Sequence, residues 1–376
     1  MVPLIAFSVE PFGELDALAA TWRDLEARAD GSFFLSWHWI GCWLRETGLR
    51  PSVVIGRLDG KVVSLALLVA RRMRRHGWLH ADTVFLHETG DPAIDINFIE
   101  YNGILVDRML GAAAIDRCLD FLVGMPALGS APGAWDELYL GGIAESYVAH
   151  LKRCGLALRV TARRPSAAID FSALRAERRG YLESLSANTR YQIRRSMRLY
   201  EKRGPLRLDV AGDVTQALAF LDALKILHQR HWERRGKGGA FAYPFLERFH
   251  RSLIARCLPD GNAELLRIRA GDEPIGYLYN FIWRGWVGTY LSGFAYEADA
   301  KLKPGLVSYC LCAERHLAGG MRVQDFMAGE HRYKTSLGKP GPDMFWLALQ
   351  RPRLRFQLEA ALRRIKDALS SRGEAD

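Results

Sequence analysis

Long hydrophobic runs are missing from this chain of 376 residues. No apolar stretch approaches the roughly 20 residues that a helix needs to span a bilayer. The first residues, MVPLIAFSVEPFGELDALAATW, carry no basic segment before the apolar one, and acidic residues interrupt the apolar pattern early. We therefore predict no signal peptide and no transmembrane segment, and we expect the protein in the cytoplasm.

Cysteine is also scarce, with 6 residues scattered along the chain. Cys310 and Cys312 fall inside a helical pattern, where residues two apart point in different directions. The sequence therefore predicts neither a disulfide framework nor a zinc site, and we expect no bound metal.

Phosphate-binding motifs are absent in their common forms. There is no Gly-Lys-Ser/Thr loop and no Gly-x-Gly-x-x-Gly fingerprint. The overall composition, 49% hydrophobic and 25% charged, is ordinary for a soluble globular protein and argues against disorder.

The positive charge is concentrated in one segment. The chain carries a net charge of +10, and the stretch from Arg175 to Arg207 holds ten basic and three acidic residues, a local charge of +7. Arg190, Arg194 and Arg198 share one helical face. Either this is a solvated face of an amphipathic helix, or it attracts an anionic partner such as a phosphate-bearing cofactor, RNA or a membrane surface.

The order of predicted elements repeats along the chain. The first half reads as helices at 13–29 and 36–47, a hairpin turning at residues 58–61, a strand at 96–106, a helix at 108–124, a strand at 135–142, a helix at 145–154 and a strand at 156–162. The second half reads as helices at 181–203, 213–233 and 243–257, a hairpin turning at residues 270–273, a strand at 286–294, a helix at 303–317 and a strand at 322–329. The repeated order predicts two related α/β domains.

The loop before the 303–317 helix has the features of an anion site. Pro304 suits a first helical turn, and Gly305 beside it leaves backbone N–H groups uncovered. Those groups and the helix dipole favour a negative charge, which Lys301 and Lys303 would reinforce. The other interpretation is that Pro-Gly is only a helix cap.

Many proton-carrying side chains follow the 322–329 strand, in DFMAGEHRYKTSLG (residues 325–338). They form either a solvated turn or the catalytic part of an active site. Asp325 is a candidate base if burial raises its pKa, and otherwise a helix cap. Glu330 is either a base or a charge near a helix N-terminus. His331 is a further candidate base, or simply an exposed loop residue.

These stretches together resemble the GNAT (Gcn5-related N-acetyltransferase) superfamily. The strand, the loop, the helix opening on LKPGL and the DF…G…YK pattern after the next strand carry the resemblance, and HW…W near residue 38 extends it over the whole chain. More narrowly the chain resembles the double-domain, Fem-like and BioF2-like acyltransferases, a branch that includes a protein associated with bacterial cellulose synthesis.

The resemblance implies an α/β (α+β) fold of two tandem GNAT-like domains, each with a mixed, mostly antiparallel sheet flanked by helices. Residues 1–165 would form a degenerate copy, since no Pro-Gly opens its helix and no Tyr-Lys follows its last strand. Residues 166–376 would form the catalytic domain with a C-terminal helix.

The resemblance also implies roles for individual residues. Backbone amides from Lys301 to Leu306 would wrap the pyrophosphate of acetyl-CoA or another acyl-CoA. This cofactor-binding set comprises Phe294, Lys301, Lys303, Pro304, Gly305 and Leu306. Tyr333 matches the tyrosine that protonates the leaving thiolate, and Lys334 would hold a substrate phosphate or carboxylate unless it is only a solvated charge.

The acceptor side is less well defined. By strand alternation, Tyr290 and Ser292 share a face with Trp286, where they either bind substrate or only pack. His231 and Trp232 border a glycine-rich loop. Because the corresponding loop often covers the acceptor in this superfamily, the resemblance implies that these two residues line the substrate pocket. Trp37, His38 and Trp39 are interpreted as core or domain-interface aromatics.

The leading hypothesis is an acyl-CoA-dependent N-acyltransferase that acts on an amino group of a small molecule or of a cell-envelope or polysaccharide precursor. One alternative is Fem-type transfer from aminoacyl-tRNA, which the basic helix would suit. The absence of a long charged coiled-coil arm favours CoA, and we predict no RNA binding at physiological salt. The other alternative is a non-catalytic protein that binds an anionic polymer or RNA.

Overall fold

A computed structural model describes residues 4–75, 79–126 and 135–359 of the chain. Its helices are α1 Leu15–Ala27, α2 Trp37–Thr47, α3 Gly111–Gly124, α4 Glu145–Leu151, α5 Phe171–Ala176, α6 Tyr181–Ser184, α7 Ala187–Glu201, α8 Val214–Glu233, α9 Pro244–Cys257, α10 Pro304–Ala318 and α11 Arg332–Leu337. Short 3₁₀ turns lie at Phe33–Leu35, Asp95–Asn97 and Ala240–Ala242.

The strands alternate with these helices. They are β1 Ala6–Glu10, β2 Ser52–Leu58, β3 Lys61–Arg75, β4 Leu79–Leu86, β5 Leu105–Val106, β6 Glu137–Ala144, β7 Ala157–Asp170, β8 Leu206–Val210, β9 Ala263–Ala270, β10 Glu273–Trp283, β11 Trp286–Phe294, β12 Val323–Asp325 and β13 Lys339–Gln350. Within the described ranges, no helix is both long enough and apolar enough to cross a membrane.

The chain divides into two compact units. The first comprises the described residues up to 37, residues 49–163 and those from 345 onward, and the second comprises residues 38–48 and 164–344. The domain limits 1–165 and 166–376 stay a prediction. The compact units differ from them because residues 38–48 belong to the second unit and residues from 345 onward belong to the first. Of the predicted C-terminal helix, residues 360–376 lie outside the described part of the chain.

Both units have the same strand order and directions. In the first, β1, β2, β3 and β4 are neighbours in antiparallel pairs, and β6 joins β4 in parallel. In the second, β8, β9, β10 and β11 are again antiparallel, and β12 joins β11 in parallel. The mixed, mostly antiparallel sheets flanked by helices confirm the predicted fold class.

The two hairpins confirm the turns expected from the sequence. Asp59 and Gly60 join β2 to β3 with φ of 48° and 79°, and Gly271, with φ of 60°, begins the turn from β9 to β10. Both turns need left-handed backbone, which glycine adopts at no steric cost.

Two predicted strands were wrong in extent. Of the expected 96–106 strand, only Leu105–Val106 is a strand. The strand of the first unit that corresponds to β11 of the second is β4, Leu79–Leu86, which alternates buried and exposed residues at its start. The expected 322–329 strand ends at Asp325, because Met327 takes a φ of 63°. The predicted 181–203 helix is interrupted before Ser186, whose side chain caps α7 by accepting from the Thr189 N–H.

A buried ion pair crosses the core of the second unit. The Nε2 atom of His316, on α10, lies 2.8 Å from the Oε2 atom of Glu264, on β9. Burial lowers the pKa of His316, but its bonds to Cys312 and Glu264 outweigh this and raise that pKa to about 10. Burial raises the pKa of Glu264, but His316 outweighs it, so that carboxyl has a pKa below its ordinary value. Both groups are therefore charged at neutral pH.

We expect His316→Ala to lower the free energy of unfolding by about 3–5 kcal/mol, since it removes the buried counterion of Glu264. Arg315→Ala is the matched control, because Arg315 contacts the same carboxylate at 3.4 Å with its side chain 47% exposed. Its loss should cost about 0–1 kcal/mol in the same urea titration. Equal losses in the two variants would contradict this role for the pair.

The pair also determines how stability changes with pH. The contribution of His316 is fully present below its ordinary pKa of 6.5 and is lost as pH rises through about 10. The contribution of Glu264 is present above its ordinary pKa of 4.5 and is lost as pH falls through its lowered folded value. The difference between wild type and His316→Ala should therefore shrink at strongly alkaline pH.

Candidate active site

The parallel pair β11–β12 opens along its length. Residues Trp286–Gly288 pair with Val323–Asp325, after which β12 ends while β11 continues to Phe294. On its other side, β11 has a bulge: Tyr279 pairs with Leu291 and Asn280 with Thr289, so one extra residue lies between them. A bulge bends its strand and leaves a backbone group outside the ladder. The described strands thus diverge where the candidate residues lie.

The bulge corrects one expectation about strand faces. The ring of Tyr290 packs among Trp39, His250 and Phe281, with ring centroids 4.8–6.2 Å apart. The Ser292 hydroxyl instead accepts a hydrogen bond from Tyr309 on α10 at 3.0 Å. The side chains of Tyr290 and Ser292 therefore do not share one face of the sheet, because the extra residue interrupts the alternation of the strand.

The N-terminus of α10 lies at this opening. Val307 donates the first intrahelical bond, to the Lys303 carbonyl at 3.1 Å, so the N–H groups of Gly305 and Leu306 precede the helical ladder. The Lys303 N–H donates to the buried Ser196 hydroxyl of α7 at 2.9 Å, which fixes the start of the helix. Two backbone donors thus point out of a helix end of fixed position.

Gly305 is required by packing as well as by any ligand. A Cβ atom at this position would lie 3.2 Å from the Phe294 ring, tighter than an ordinary contact. Phe294 is only 9% exposed and ends β11, so it cannot move far. The predicted cofactor-binding residues Phe294, Pro304, Gly305 and Leu306 are therefore brought together. Lys301 is exposed and Lys303 is half-buried on the same approach.

Two stacked tyrosines line the opening. The rings of Tyr309 and Tyr333 lie 5.1 Å apart at an angle of 7°, and their hydroxyl oxygens are 3.4 Å apart. Burial raises the pKa of Tyr333 to about 12, with Tyr296 adding to the effect and the hydrogen bond from Tyr309 opposing it. The phenol proton of Tyr333 is therefore retained throughout the neutral range.

Two histidines border the same opening. His231, near the end of α8, lies 4.9 Å from the ring of Tyr296, and the His331 ring lies 6.0 Å from that of Tyr333. Burial and nearby Arg235 lower the pKa of His231, and burial, Lys334 and Arg235 lower that of His331. Both imidazoles are therefore mainly neutral at pH 7 and can accept a proton.

Asp325 is held in place by its neighbours. One carboxylate oxygen accepts from the Met327 N–H at 2.7 Å, and the other is 3.4 Å from the indole N–H of Trp286. The side chain is 5% exposed. These bonds fix the turn that follows β12. Asp325 does not form the helix cap considered from the sequence, because His331 occupies the N-cap position of α11. The base role of Asp325 stays a prediction.

Lys334 is buried rather than solvated. It is 4% exposed, and its ammonium donates to the carbonyl oxygens of Met327 at 3.0 Å and Ala328 at 2.8 Å. It therefore holds the turn that carries His331 and Tyr333. Glu330, in contrast, is exposed on that turn.

The structure brings in residues that the sequence did not indicate. Tyr309 lies inside an apolar helical pattern, and Tyr296 follows β11 without any motif, so neither is distinguishable from a packing residue. Ser196 belongs to the basic helix, where its neighbours attract more notice. Trp232, which the sequence did suggest, donates its indole N–H to His228 at 3.0 Å and so lies one contact away from the opening.

One family model matches part of the second unit. Residues 187–335 match the model of the acetyltransferase (GNAT) domain family. No curated protein is similar enough in sequence to match.

The fold is shared with solved structures at low sequence identity. FemX has a TM-score of 0.60 at 11% identity, covering 92% of this chain and 98% of its own. The C-terminal DUF2156 domain of a putative lysylphosphatidylglycerol synthetase from Agrobacterium fabrum has a TM-score of 0.52 at 12% identity, covering 95% and 97%. These likenesses show a shared fold, and the family-model match to residues 187–335 agrees with the GNAT resemblance noted in the sequence.

We expect Lys334→Met to lower the free energy of unfolding by about 1.5–3 kcal/mol, because a charged donor to two carbonyls is lost. Lys339→Met, at an exposed lysine five residues on, is the matched control and should stay within about 0.5 kcal/mol of wild type. Chemical denaturation measures both. If Lys334→Met were as stable as the control but inactive, Lys334 would serve the substrate instead of the turn.

Proposed function

We propose that the chain is an N-acyltransferase that moves an acetyl or other acyl group from acyl-CoA to an amino group of a small molecule or of a cell-envelope or polysaccharide precursor, working in the cytoplasm. The observation that carries the proposal is the convergence, at the β11–β12 opening, of the α10 N-terminus with the hydroxyl of Tyr333. The GNAT domain match supports the acyltransferase class.

The residues at the helix end fit a diphosphate. The N–H groups of Gly305 and Leu306 would donate to its oxygens, aided by the helix dipole. Lys301 and Lys303 would add positive charge from the exposed side of the loop. Bound there, CoA would supply an activated thioester; the chain itself supplies the position and the hydrogen bonds.

Transfer requires that the amine nitrogen form a bond to the thioester carbonyl carbon and that the carbon–sulfur bond then break. The amine loses a proton, and the sulfur leaves as a thiolate. A neutral imidazole, His231 or His331, is available to take the amine proton, with Asp325 and Glu330 as the carboxylate candidates. Backbone N–H groups at the end of β11 would stabilise the developing oxyanion.

Tyr333 would stabilise the leaving sulfur as a hydrogen-bond donor. Its pKa of about 12 lies above that of a thiol, about 8.5, so complete proton transfer to a free thiolate would be unfavourable. A hydrogen bond from the phenol to the charged sulfur is favourable without that transfer. The adjacent Tyr309 hydroxyl holds the phenol in place.

Substitution of Gly305 tests the cofactor site. Gly305→Trp should lower the affinity for CoA at least tenfold, because the indole would cover the two N–H donors and press on Phe294. Ala318→Trp, at the exposed far end of α10, is the matched control and should bind normally. Calorimetric titration with CoA measures both, after circular dichroism has shown that each variant is folded.

Gly305→Ala extends this test, since its methyl group displaces Phe294 by only a few tenths of an ångström. Its affinity should lie between those of wild type and Gly305→Trp. Wild-type affinity in a folded Gly305→Trp would remove CoA from the α10 N-terminus.

Substitution of Tyr333 tests its role in turnover. Tyr333→Phe should leave CoA affinity unchanged and lower kcat about ten- to a hundredfold, which matches the loss of a hydrogen bond to a charged atom, about 1.5–3 kcal/mol. Tyr191→Phe, at a 56% exposed tyrosine on α7, is the matched control. The assay follows free thiol release from acetyl-CoA with a panel of amines. Less than a threefold change in Tyr333→Phe would remove it from the mechanism.

A second candidate, transfer from aminoacyl-tRNA, is favoured by the exposed charge of α7. Arg194 and Arg198 face solvent on the helix whose Ser196 contacts the start of α10, whereas Arg190 is used internally, donating to the carbonyls of Glu183 and Leu185. The fold shared with FemX supports it as well. The two candidates separate in one titration series: CoA without tRNA binding supports the first, and a salt-sensitive tRNA complex without CoA binding supports the second.

A further inference from the structure

Four side chains with metal-binding chemistry meet in the first unit, far along the sequence from the GNAT domain. Asp116 and Asp120 lie one turn apart on α3, His150 lies near the end of α4, and Cys154 follows that helix by one turn. We refer to these residues as the Asp-His-Cys cluster. The scattered cysteines gave no zinc motif in the sequence, whereas this cluster uses one cysteine with side chains from two helices.

The distances suit a small cation. The Oδ1 atom of Asp120 lies 2.8 Å from Nε2 of His150. One ligand atom each from Asp120, His150 and Cys154 lies within 4.8 Å of the others. Zinc bonds of about 2.0–2.3 Å in a tetrahedron separate the ligand atoms by roughly 3–4 Å, so forming the set requires Asp120 to move slightly away from Nε2 and the Cys154 side chain to turn toward it.

The other ring nitrogen of His150 has the support that metal-bound histidines use. Its Nδ1 atom lies 3.0 Å from Oδ1 of Asp116. A carboxylate on the second nitrogen fixes the tautomer and leaves the first nitrogen to the metal. The Arg153 guanidinium, 3.3 Å from the same Nδ1, adds a positive charge that Asp116 offsets.

The cluster has more negative groups than a neutral imidazole can serve. His150 is 8% exposed, and a neutral ring has one N–H to donate although carboxylates approach both of its nitrogens. The Cys154 thiol donates to the His150 carbonyl at 3.7 Å, so its sulfur lies beside the same histidine. A divalent cation on Nε2 accounts for all four side chains together.

We propose that the Asp-His-Cys cluster binds a zinc-class divalent ion through Asp120, His150 and Cys154, with water in the fourth position and Asp116 supporting His150. The mixed nitrogen, sulfur and oxygen ligands favour zinc over magnesium or calcium, which prefer oxygen alone. Binding removes the thiol proton of Cys154 and ties α3 to the end of α4. The site belongs to the first unit and uses no residue of the proposed acyl-transfer chemistry.

The test uses the full-length protein, stripped with a chelator, reloaded with zinc chloride and desalted. Elemental analysis should give about one zinc per chain, and thermal unfolding should shift upward with zinc. Loading with cobalt chloride should give the thiolate-to-cobalt absorption band that a Cys ligand produces. Cys154→Ser should lose that band and most of the zinc.

Two further variants make the result specific. Asp116→Asn should weaken zinc affinity about 10- to 100-fold while keeping the cobalt band, as expected for a supporting carboxylate. Glu145→Gln, at an exposed carboxylate on α4, is the matched control and should bind like wild type. Zinc well below one per chain, or equal zinc in Cys154→Ser and wild type with both folded, would overturn the proposal.

Discussion

The buried pair of Glu264 and His316 is the interaction on which the geometry of the second unit depends. Asn280 donates to the same carboxylate oxygen at 3.1 Å, and Gln324 lies 3.1 Å from the other nitrogen of His316. Gln324 in turn donates to Thr289 at 3.2 Å. These bonds join β9, β10, β11 and β12 to the last turns of α10. Because a misplaced member would leave a charge unpaired away from water, the network specifies one position for that helix.

At the opposite end of α10, the Lys303 N–H donates a neutral hydrogen bond to Ser196. Between the two ends the helix packs through apolar side chains such as Val307 and Ala313. A helix secured in this way presents the N–H groups of Gly305 and Leu306 at a constant distance from β11. Binding a diphosphate there would require little ordering of the chain, which is the condition for tight binding.

Local chemistry explains which parts of this fold could be predicted from the sequence. The hairpin turns and the Pro304 helix start depend on residues next to each other in the chain, so their positions were correct. The end of β12 depends on the positive φ of Met327, which Asp325 stabilises from two residues away and Lys334 from the following helix, α11. For the same reason the sequence indicated Tyr333 but not its partner Tyr309, because stacking across two helices leaves no pattern in either one.

The first unit repeats the fold but fills the corresponding opening with its own chain. Beside β6, the Glu88 carboxyl packs on Gly141, and the backbone of Ile99 packs on Gly142, whose φ is 67°. Burial and nearby Asp95 raise the pKa of Glu88 well above its ordinary range. A side chain at either glycine would collide with this segment. The space that β11 and β12 leave beside Tyr333 is thus occupied in the other copy by residues 88–99, which explains why the candidate chemistry is found in one unit although the strand order is found in both.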